Sequence, residues 1–294
     1  MKQSLLQFVK ESPALKITVG AIMISFSSVF VKLSHVTPTV AGFYRVLFGG
    51  IFLVFIALRV NMLTRPKPLQ GFLAGVCGVL FAFDLFTWHH SINYVGPGLA
   101  TIIVNFQVFI LALIGILFLG EKLSIKFGLS IPLAFLGLYM IVGIRWEQLG
   151  PDYKYGILLG LAAAGFYSIF LLVLRKLQSA TNEIKTITNL MLVSFTTALF
   201  LGGEAVRNAE PLKIPDTQTW MALLSYGLLG QVIGWLCISH ALPKMRASAA
   251  GLILLLQPAL SFVWDVLFFG REAGLTSVVG VGITLTAIYL GSTR

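Results

Sequence analysis

Ten apolar stretches, each about as long as a bilayer is thick, restrict the fold of this 294-residue chain more than any other feature. They lie near residues 15–35, 40–60, 70–92, 98–119, 126–144, 155–175, 186–205, 219–240, 247–268 and 274–291. A helix needs roughly 17 to 25 mostly apolar residues to cross the hydrocarbon. Backbone in lipid must satisfy its own hydrogen bonds, and a helix does so within one segment. The connections are short, and several carry Pro or Gly: Thr37-Pro38, Pro66-Lys67-Pro68, Gly96-Pro97-Gly98 and Gly150-Pro151. Such loops make consecutive helices antiparallel and leave no room for a separate soluble domain. The expected fold is therefore all-α and polytopic, with ten transmembrane helices and the lipid bilayer as solvent.

Composition agrees. Only 11% of residues are charged against 57% hydrophobic, with a mean hydropathy of +0.91, whereas soluble domains carry about 25% charged residues. A net charge of +10 would suggest nucleic acid if the cations clustered on one face. They sit between apolar runs instead, so no nucleic-acid partner is expected and the charges read as orientation signals. Starting the chain inside puts fourteen Lys and Arg on the cytoplasmic side: Lys2, Lys10, Lys16, Arg59, Arg65, Lys67, Lys122, Lys126, Arg175, Lys176, Lys185, Lys244, Arg246 and Arg294. Five fall opposite: Arg145, Lys154, Arg207, Lys213 and Arg271. Lys32 and Arg45 lie within spans. Both termini are expected to be cytoplasmic, and helices joined by short basic loops point to a bacterial inner (plasma) membrane.

Met1 to Ser12 alternates Leu5, Leu6, Phe8 and Val9 with polar residues and has no small-residue cleavage site. It reads as a short interfacial helix ending at Ser12-Pro13, not a removed signal. Cys77 and Cys237 lie in apolar segments and read as small hydrophobes. No disulfide framework or metal spacing is visible, and no cofactor is expected.

The chain also repeats itself. At an offset of 150, His90-Ser91-Ile92-Asn93 meets His240-Ala241-Leu242-Pro243, Gln107 meets Gln257, and Phe118-Leu119-Gly120 meets Phe268-Phe269-Gly270. At an offset of 140, Gly20 meets Gly160 and Phe26-Ser27-Ser28-Val29-Phe30 meets Phe166-Tyr167-Ser168-Ile169-Phe170. The halves are expected at 1–148, including the amphipathic N-terminal segment, and 149–294. A unit of five helices has an odd number of crossings, so its second copy enters the membrane upside down. Inverted repeats around a midplane site are the architecture of secondary transporters.

The five-plus-five layout, Gly120-Glu121 and Gly270-Arg271-Glu272 closing the fourth and ninth spans, and the Gln257-Pro258 step resemble the drug/metabolite transporter superfamily, in its EamA-type members. The resemblance covers nearly the whole chain. It departs at Val108, where the counterpart of Pro258 falls, and at Glu272, displaced by one residue. In size and topology the chain is similar to bacterial exporters of amino acids, aromatic ones included.

Ionisable side chains deep in a bilayer are costly and face a cavity or a partner. Asp84 in span three is the leading candidate, as a proton carrier or as half of a buried ion pair with Arg45 of span two. Trp88 shares a helical face with Asp84, while His89 and His90 point progressively around it. Trp88 is equally suited to an interfacial belt, and a His titrating near neutrality suits proton coupling. The recurrence of His90 as His240 argues for packing or hydrogen bonding at those positions. Asp265, near the external end of its span, reads as headgroup-depth polarity. Asn105, Gln107, Gln231 and Gln257 are mid-depth polar groups, read either as glue between helices or, for Gln107 and Gln257, as substrate ligands in a central cavity. Phe106, Phe109, Trp235 and Trp264 would suit such a cavity to a flat or cationic organic solute. Gly71-xxx-Gly75, Gly156-xxx-Gly160 and Gly230-xxx-Gly234 are expected to let backbones approach closely, and Pro132 and Pro258 to bend their helices.

The function expected is a secondary transporter moving a small organic metabolite, amino acids favoured, outward by alternating access, with protons as candidate coupling ions. A membrane-embedded enzyme using Asp84, His89 or His90 would need a nucleophile with its base or a metal-ligand set, and no H-E-x-x-H or G-x-S-x-G occurs. A channel or lipid scramblase would show rings of carbonyls or like charges, and none is evident. No G-x-x-x-x-G-K-[ST] loop is present for direct ATP drive.

Overall fold

The computed structural model describes residues 12–59, 66–122, 124–142, 150–179 and 183–292. The N-terminal segment expected to be an interfacial helix lies outside the described residues. Ser12 caps the first helix, its hydroxyl accepting from the Leu15 amide at 3.3 Å. Pro13 follows at the first helical position, where its missing N–H costs nothing.

Helices are numbered in chain order: α1 Pro13–Leu33, α2 Pro38–Arg59, α3 Pro68–Gly96, α4 Leu99–Leu119, α5 Ile125–Val142, α6 Tyr153–Ser179, α7 Glu183–Arg207, α8 Thr217–Lys244, α9 Ala247–Phe269 and α10 Leu275–Ser292. No strand occurs among the described residues. Eight of these helices are long and apolar enough to cross a membrane; α5 and α10 are shorter apolar helices. Large apolar side chains point outward, among them Phe118 at 79% exposure and Leu275 at 81%. A water-soluble protein would bury most such side chains, so the outer faces fit lipid.

The helices sort into two compact units. One comprises the described residues through Val79 with Leu171–Arg246; the other comprises Leu80–Phe170 with the described residues from Ala247 onward. Two boundaries fall inside α3 and α6 and the third between α8 and α9, so each unit takes helices from both halves of the chain. The first unit packs Ala41 and Phe48 of α2 against Leu223 and Tyr226 of α8. The second gathers Val95, Leu99, Ala100 and Ile103 under Trp88, Ile92, Tyr153 and Ile157.

The repeat seen in the sequence is also one of backbone geometry. Gly120 closes α4 at φ 65°, ψ 24°, and Gly270 closes α9 at φ 62°, ψ 27°. This left-handed conformation suits glycine and not side chains with a Cβ. The amide after each glycine turns back onto the carbonyl six residues earlier: Glu121 onto Gly115 at 2.8 Å and Arg271 onto Asp265 at 3.3 Å. Both pairs are separated by 150 residues.

The glycine pairs behave differently from one another. Gly156 and Gly160 of α6 are close-packed, and a Cβ on Gly156 would come within 2.7 Å of Val95. Gly230 and Gly234 of α8 are also approached, Gly234 by Ile24 at 2.7 Å. Gly71 and Gly75 correct the expectation: among the described residues a Cβ on Gly75 would meet nothing within 4 Å, and one on Gly71 would meet only Pro66 at 3.9 Å. The tightest use of glycine lies in the seam between α5 and α10. There a Cβ on Gly137 would stand 2.6 Å from the Gly280 carbonyl oxygen, and one on Gly280 would stand 2.7 Å from that of Gly137.

Outside the spans, Asp216 caps α8, accepting from the Thr219 amide at 2.8 Å. Its other oxygen lies 2.7 Å from His35 Nδ1. An ionised carboxylate has no proton to give, so His35 donates. That hydrogen bond is the main cause, ahead of the Thr219 amide, that holds the Asp216 carboxyl below its ordinary range. The sign follows: a depressed carboxylate stabilises the fold above the unfolded value of about 3.9, and that contribution is lost as pH falls through the lower folded value. The melting temperature in detergent should therefore drop below about pH 4, with a shallower drop in Asp216→Asn. Identical pH profiles for the two proteins would show the cap to be inert.

Candidate functional site

The midpoints of α4 and α9 are broken at corresponding places. In α4, regular helix stops at Asn105 and restarts at Gln107. Across the break, Phe106 N–H bonds to Ile103 O at 3.0 Å and Val108 N–H to Asn105 O at 3.2 Å, both three residues back instead of four. In α9, Leu255 N–H bonds to Leu252 O at 3.1 Å and helix restarts at Leu256. Asn105 and Leu255 are 150 residues apart, so the break belongs to the repeat.

The chemistry that makes the break differs between the copies. Pro258 has no N–H to give the carbonyl four residues back, and its ring crowds that carbonyl, which loosens the turn around Leu255. The first copy has Val108 there and lacks this device. Asn105 supplies another: its side-chain amide donates to the Thr101 carbonyl at 2.7 Å, competing with the backbone ladder. The departure at Val108 therefore leaves the geometry intact.

A glutamine follows each break, Gln107 directly and Gln257 second in the restarted helix. Gln107 is 1% exposed. Its Nε2 donates to the Gly251 carbonyl of α9 at 3.2 Å, and Ser168 of α6 donates to its backbone carbonyl at 3.4 Å. Its Oε1 is buried with no hydrogen-bond partner among the described residues. Gln257 is partly exposed. Phe106 and Phe109, each 38% exposed, form an aromatic trio with Phe135, at centroid distances of 4.8–5.3 Å.

Asp84, Trp88, His89 and His90 belong to the same unit as Gln107 and Gln257. Asp84 is 6% exposed, and its backbone carbonyl accepts from the Thr87 hydroxyl at 3.2 Å. Trp88 lies against the Val95–Ile103 cluster; Trp88 Nε1 and His89 Nδ1 find no hydrogen-bond partner among the described residues. The His90 ring packs on Phe86 at 4.4 Å. His240 is engaged by its own helix, Nδ1 lying 2.7 Å from the Leu236 carbonyl. Asp265 faces Arg271 at 3.5 Å.

Arg45 and Trp235 belong to the other unit. Arg45 donates to the Tyr226 hydroxyl at 3.4 Å, with its guanidinium carbon 5.0 Å from the Tyr226 ring centre. Trp235, 2% exposed, starts the regular helix after a π-helical stretch, Tyr226–Gly234, within α8. The offset of 150 maps this stretch onto residues 76–84 of α3, where the helix is regular.

Glu121 has a role that its place in the Gly-Glu motif did not reveal. Its carboxylate accepts from the amides of Ala247 at 2.6 Å and Ser248 at 3.3 Å and from the Ser248 hydroxyl at 2.5 Å. A residue of the first half thus caps α9 of the second, and the negative charge suits the positive end of the helix dipole. Glu272, shifted by one residue, is exposed. No group of three or more metal-ligating side chains occurs among the described residues.

Known proteins bear on this arrangement at two levels. A protein solved by crystallography is 16% identical and superposes with a TM-score of 0.80 over 96% of each chain, which shows the fold. An Archaeoglobus fulgidus protein named as an uncharacterized transporter is 22% identical over 94% of this chain and 96% of its own length. The uncharacterized transporter YvbV of Bacillus subtilis is 24% identical over 89% of this chain and 85% of its own. The model of the EamA-like transporter family matches twice, at residues 12–143 and 154–293, one match to each half. The chain is a helical, multi-pass membrane protein and belongs to the EamA-like transporter family.

Proposed function

We propose that this protein is a secondary transporter that exports small organic metabolites, amino acids favoured, by alternating access. In this reading α1 to α10 all cross the membrane, the halves 1–148 and 149–294 are inverted repeats, and both termini lie in the cytoplasm beneath a bacterial inner membrane. The observation that carries it is the break recurring in α4 and α9 at an offset of 150, each time with a glutamine within the first two residues of the restarted helix. Broken helices at matching places in two repeats expose backbone and side-chain polar groups where substrate sites lie in secondary transporters. Gln107 and Gln257 are the substrate ligands in this reading, and Asp84 is the proton carrier.

Proteoliposome uptake tests it, using radiolabelled aromatic and aliphatic amino acids, a quaternary ammonium and a nucleoside, with and without a pH gradient. The expected result is saturable uptake of an amino acid that a gradient stimulates. Asp84→Asn should lose the stimulation and keep the basal rate, while Gln107→Leu should raise KM about tenfold, as removal of a site's hydrogen-bonding group does. Uptake indifferent to the gradient would remove protons as the coupling ion. No uptake of any compound would overturn the amino-acid reading.

A further inference from the structure

We propose that the corner where α2 ends and α3 begins binds an anionic phospholipid, with Arg59 and Lys67 holding the phosphate and Phe55, Leu58, Leu69 and Phe72 meeting the acyl chains. The inference needs only a membrane-embedded chain and stands apart from the transporter reading.

α7 sets the depth of that corner. A Cβ on Gly50 of α2 would stand 3.0 Å from the Phe195 ring, and one on Gly78 of α3 would stand 2.5 Å from Thr196 Cβ. Thr197, the next residue, donates to the Gly78 carbonyl at 3.0 Å. Gly50 and Gly78 therefore flank α7 at one level, and Gly50 is near the middle of α2. Arg59 follows Gly50 by nine residues and Lys67 precedes Gly78 by eleven. The short step from α2 to α3 makes the two helices antiparallel. At 1.5 Å per residue both cations then lie about 14 to 17 Å from that level, toward one end. Half the hydrocarbon thickness is about 15 Å, so both reach the depth of the lipid phosphates.

Charge is collected at that end. α8 runs alongside α2 in the same direction, Tyr226 beside Arg45 and Gln231 beside Gly49, so Lys244 stands there too. Among the described residues this end of the unit has eight Lys and Arg and one carboxylate, Glu183, whereas the opposite end has three of each sign. Arg59, Lys67, Lys176 and Lys244 are exposed, and none of them forms an ion pair among the described residues. Basic residues just outside the hydrocarbon attract anionic headgroups, each contributing to the attraction separately. In the other unit, the turn between α4 and α5 has only Lys122 and Lys126, beside Glu121.

Apolar side chains lie directly inward of the two cations. Phe55 and Leu58 precede Arg59, Leu69 and Phe72 follow Lys67, and each is more than half exposed. Beside Phe72, Gly71 and Gly75 leave α3 bare instead of drawing a helix onto it. A cation at the edge of the hydrocarbon above an apolar face matches a phospholipid, whose phosphate stands above its chains. Nucleic acid or an acidic protein would meet the cations and leave the four apolar side chains without a partner.

Native mass spectrometry of the full-length protein in detergent tests this, with phosphatidylglycerol or phosphatidylcholine of identical acyl chains titrated in. The expected result is a first phosphatidylglycerol bound about 25-fold more tightly than phosphatidylcholine, at about fivefold for each of two cations. Arg59→Gln and Lys67→Gln should each reduce that preference about fivefold, while Phe72→Ala should weaken both lipids alike. Lys213→Gln, at the opposite end, should leave the preference unchanged. Both cations are exposed, and each single variant is read alone, so loss of folding in the double variant leaves the test intact. Equal binding of the two lipids, or Arg59→Gln and Lys67→Gln proteins that keep the full preference, would overturn the site. Displacement of the lipid by glycerol phosphate at equal concentration would show a free-phosphate site, and displacement by a short DNA duplex a nucleic-acid surface; either would overturn it as well.

Discussion

Gly137→Ala is expected to destabilise the protein by about 2 kcal/mol although it adds a single methyl group. Two terms compete. Alanine is favoured over glycine inside a helix by about 1 kcal/mol. Against that, the new Cβ would stand 2.6 Å from the Gly280 carbonyl oxygen and 2.8 Å from the Thr284 amide nitrogen. The Thr284 hydroxyl also stands in the way, but these two obstacles are backbone, so no side-chain movement relieves them and α5 must move off α10. Overpacking of this kind costs about 3 kcal/mol at the upper end of its usual range. Gly280→Ala meets the Gly137 carbonyl in return and should cost a similar amount. The double variant should lose less than the sum, because once the seam has opened the second methyl finds room. Gly128→Ala is the control, since Gly128 lies in α5 with nothing within 4 Å among the described residues. Thermal or denaturant unfolding in detergent reads the difference. A Gly137→Ala protein as stable as Gly128→Ala would show that the α5–α10 contact does not hold the fold.

Glu121→Ala should cost about 2 kcal/mol, near the top of the range for loss of a helix cap, because its carboxylate takes three hydrogen bonds and faces the positive end of α9. Glu272→Ala should change stability by under about 0.5 kcal/mol, as exposed surface replacements do. Glu121→Gln should fall between, keeping one acceptor oxygen and losing the charge. Gly115→Ala should resemble Glu121→Ala, because a Cβ there would stand 2.6 Å from Glu121 Oε2 and push the carboxylate off its cap. The comparison is decisive because the two glutamates are near-counterparts in the repeat. Equal losses at 121 and 272 would mean that the cap contributes nothing beyond a surface charge.

Much of the architecture is legible in the sequence. Apolar segments of bilayer length forced helices, since lipid offers the backbone no other partner. The register of the repeat was visible because left-handed closure at Gly120 and Gly270 demands glycine and nothing else does as well. Gln107 and Gln257 were singled out through the same register, and both stand beside the breaks. Elsewhere the packing neighbours decide what a local pattern means. Gly71 and Gly75 have the spacing of a packing motif, yet no helix among the described residues closes on Gly75. Gln231 reads as glue, which describes the Nε2 that donates to Ser194 at 3.0 Å and not the buried Oε1, which finds no donor among the described residues. Nothing near Tyr226 in the sequence announces a π-helical stretch.

What the sequence alone determined is what depends on composition, length and the conformational demands of single residues: a membrane-embedded, all-helical chain with an internal repeat. What only the tertiary structure decided is which polar atoms find partners. Glu121 meets the start of α9 across 126 residues of chain, Gln107 meets Gly251 across 144, and Arg45 meets Tyr226 across 181. Hydrophobic periodicity is written within a few turns of one helix. A hydrogen bond is set by geometry to within a few tenths of an ångström, so its partner is chosen only once distant helices have packed.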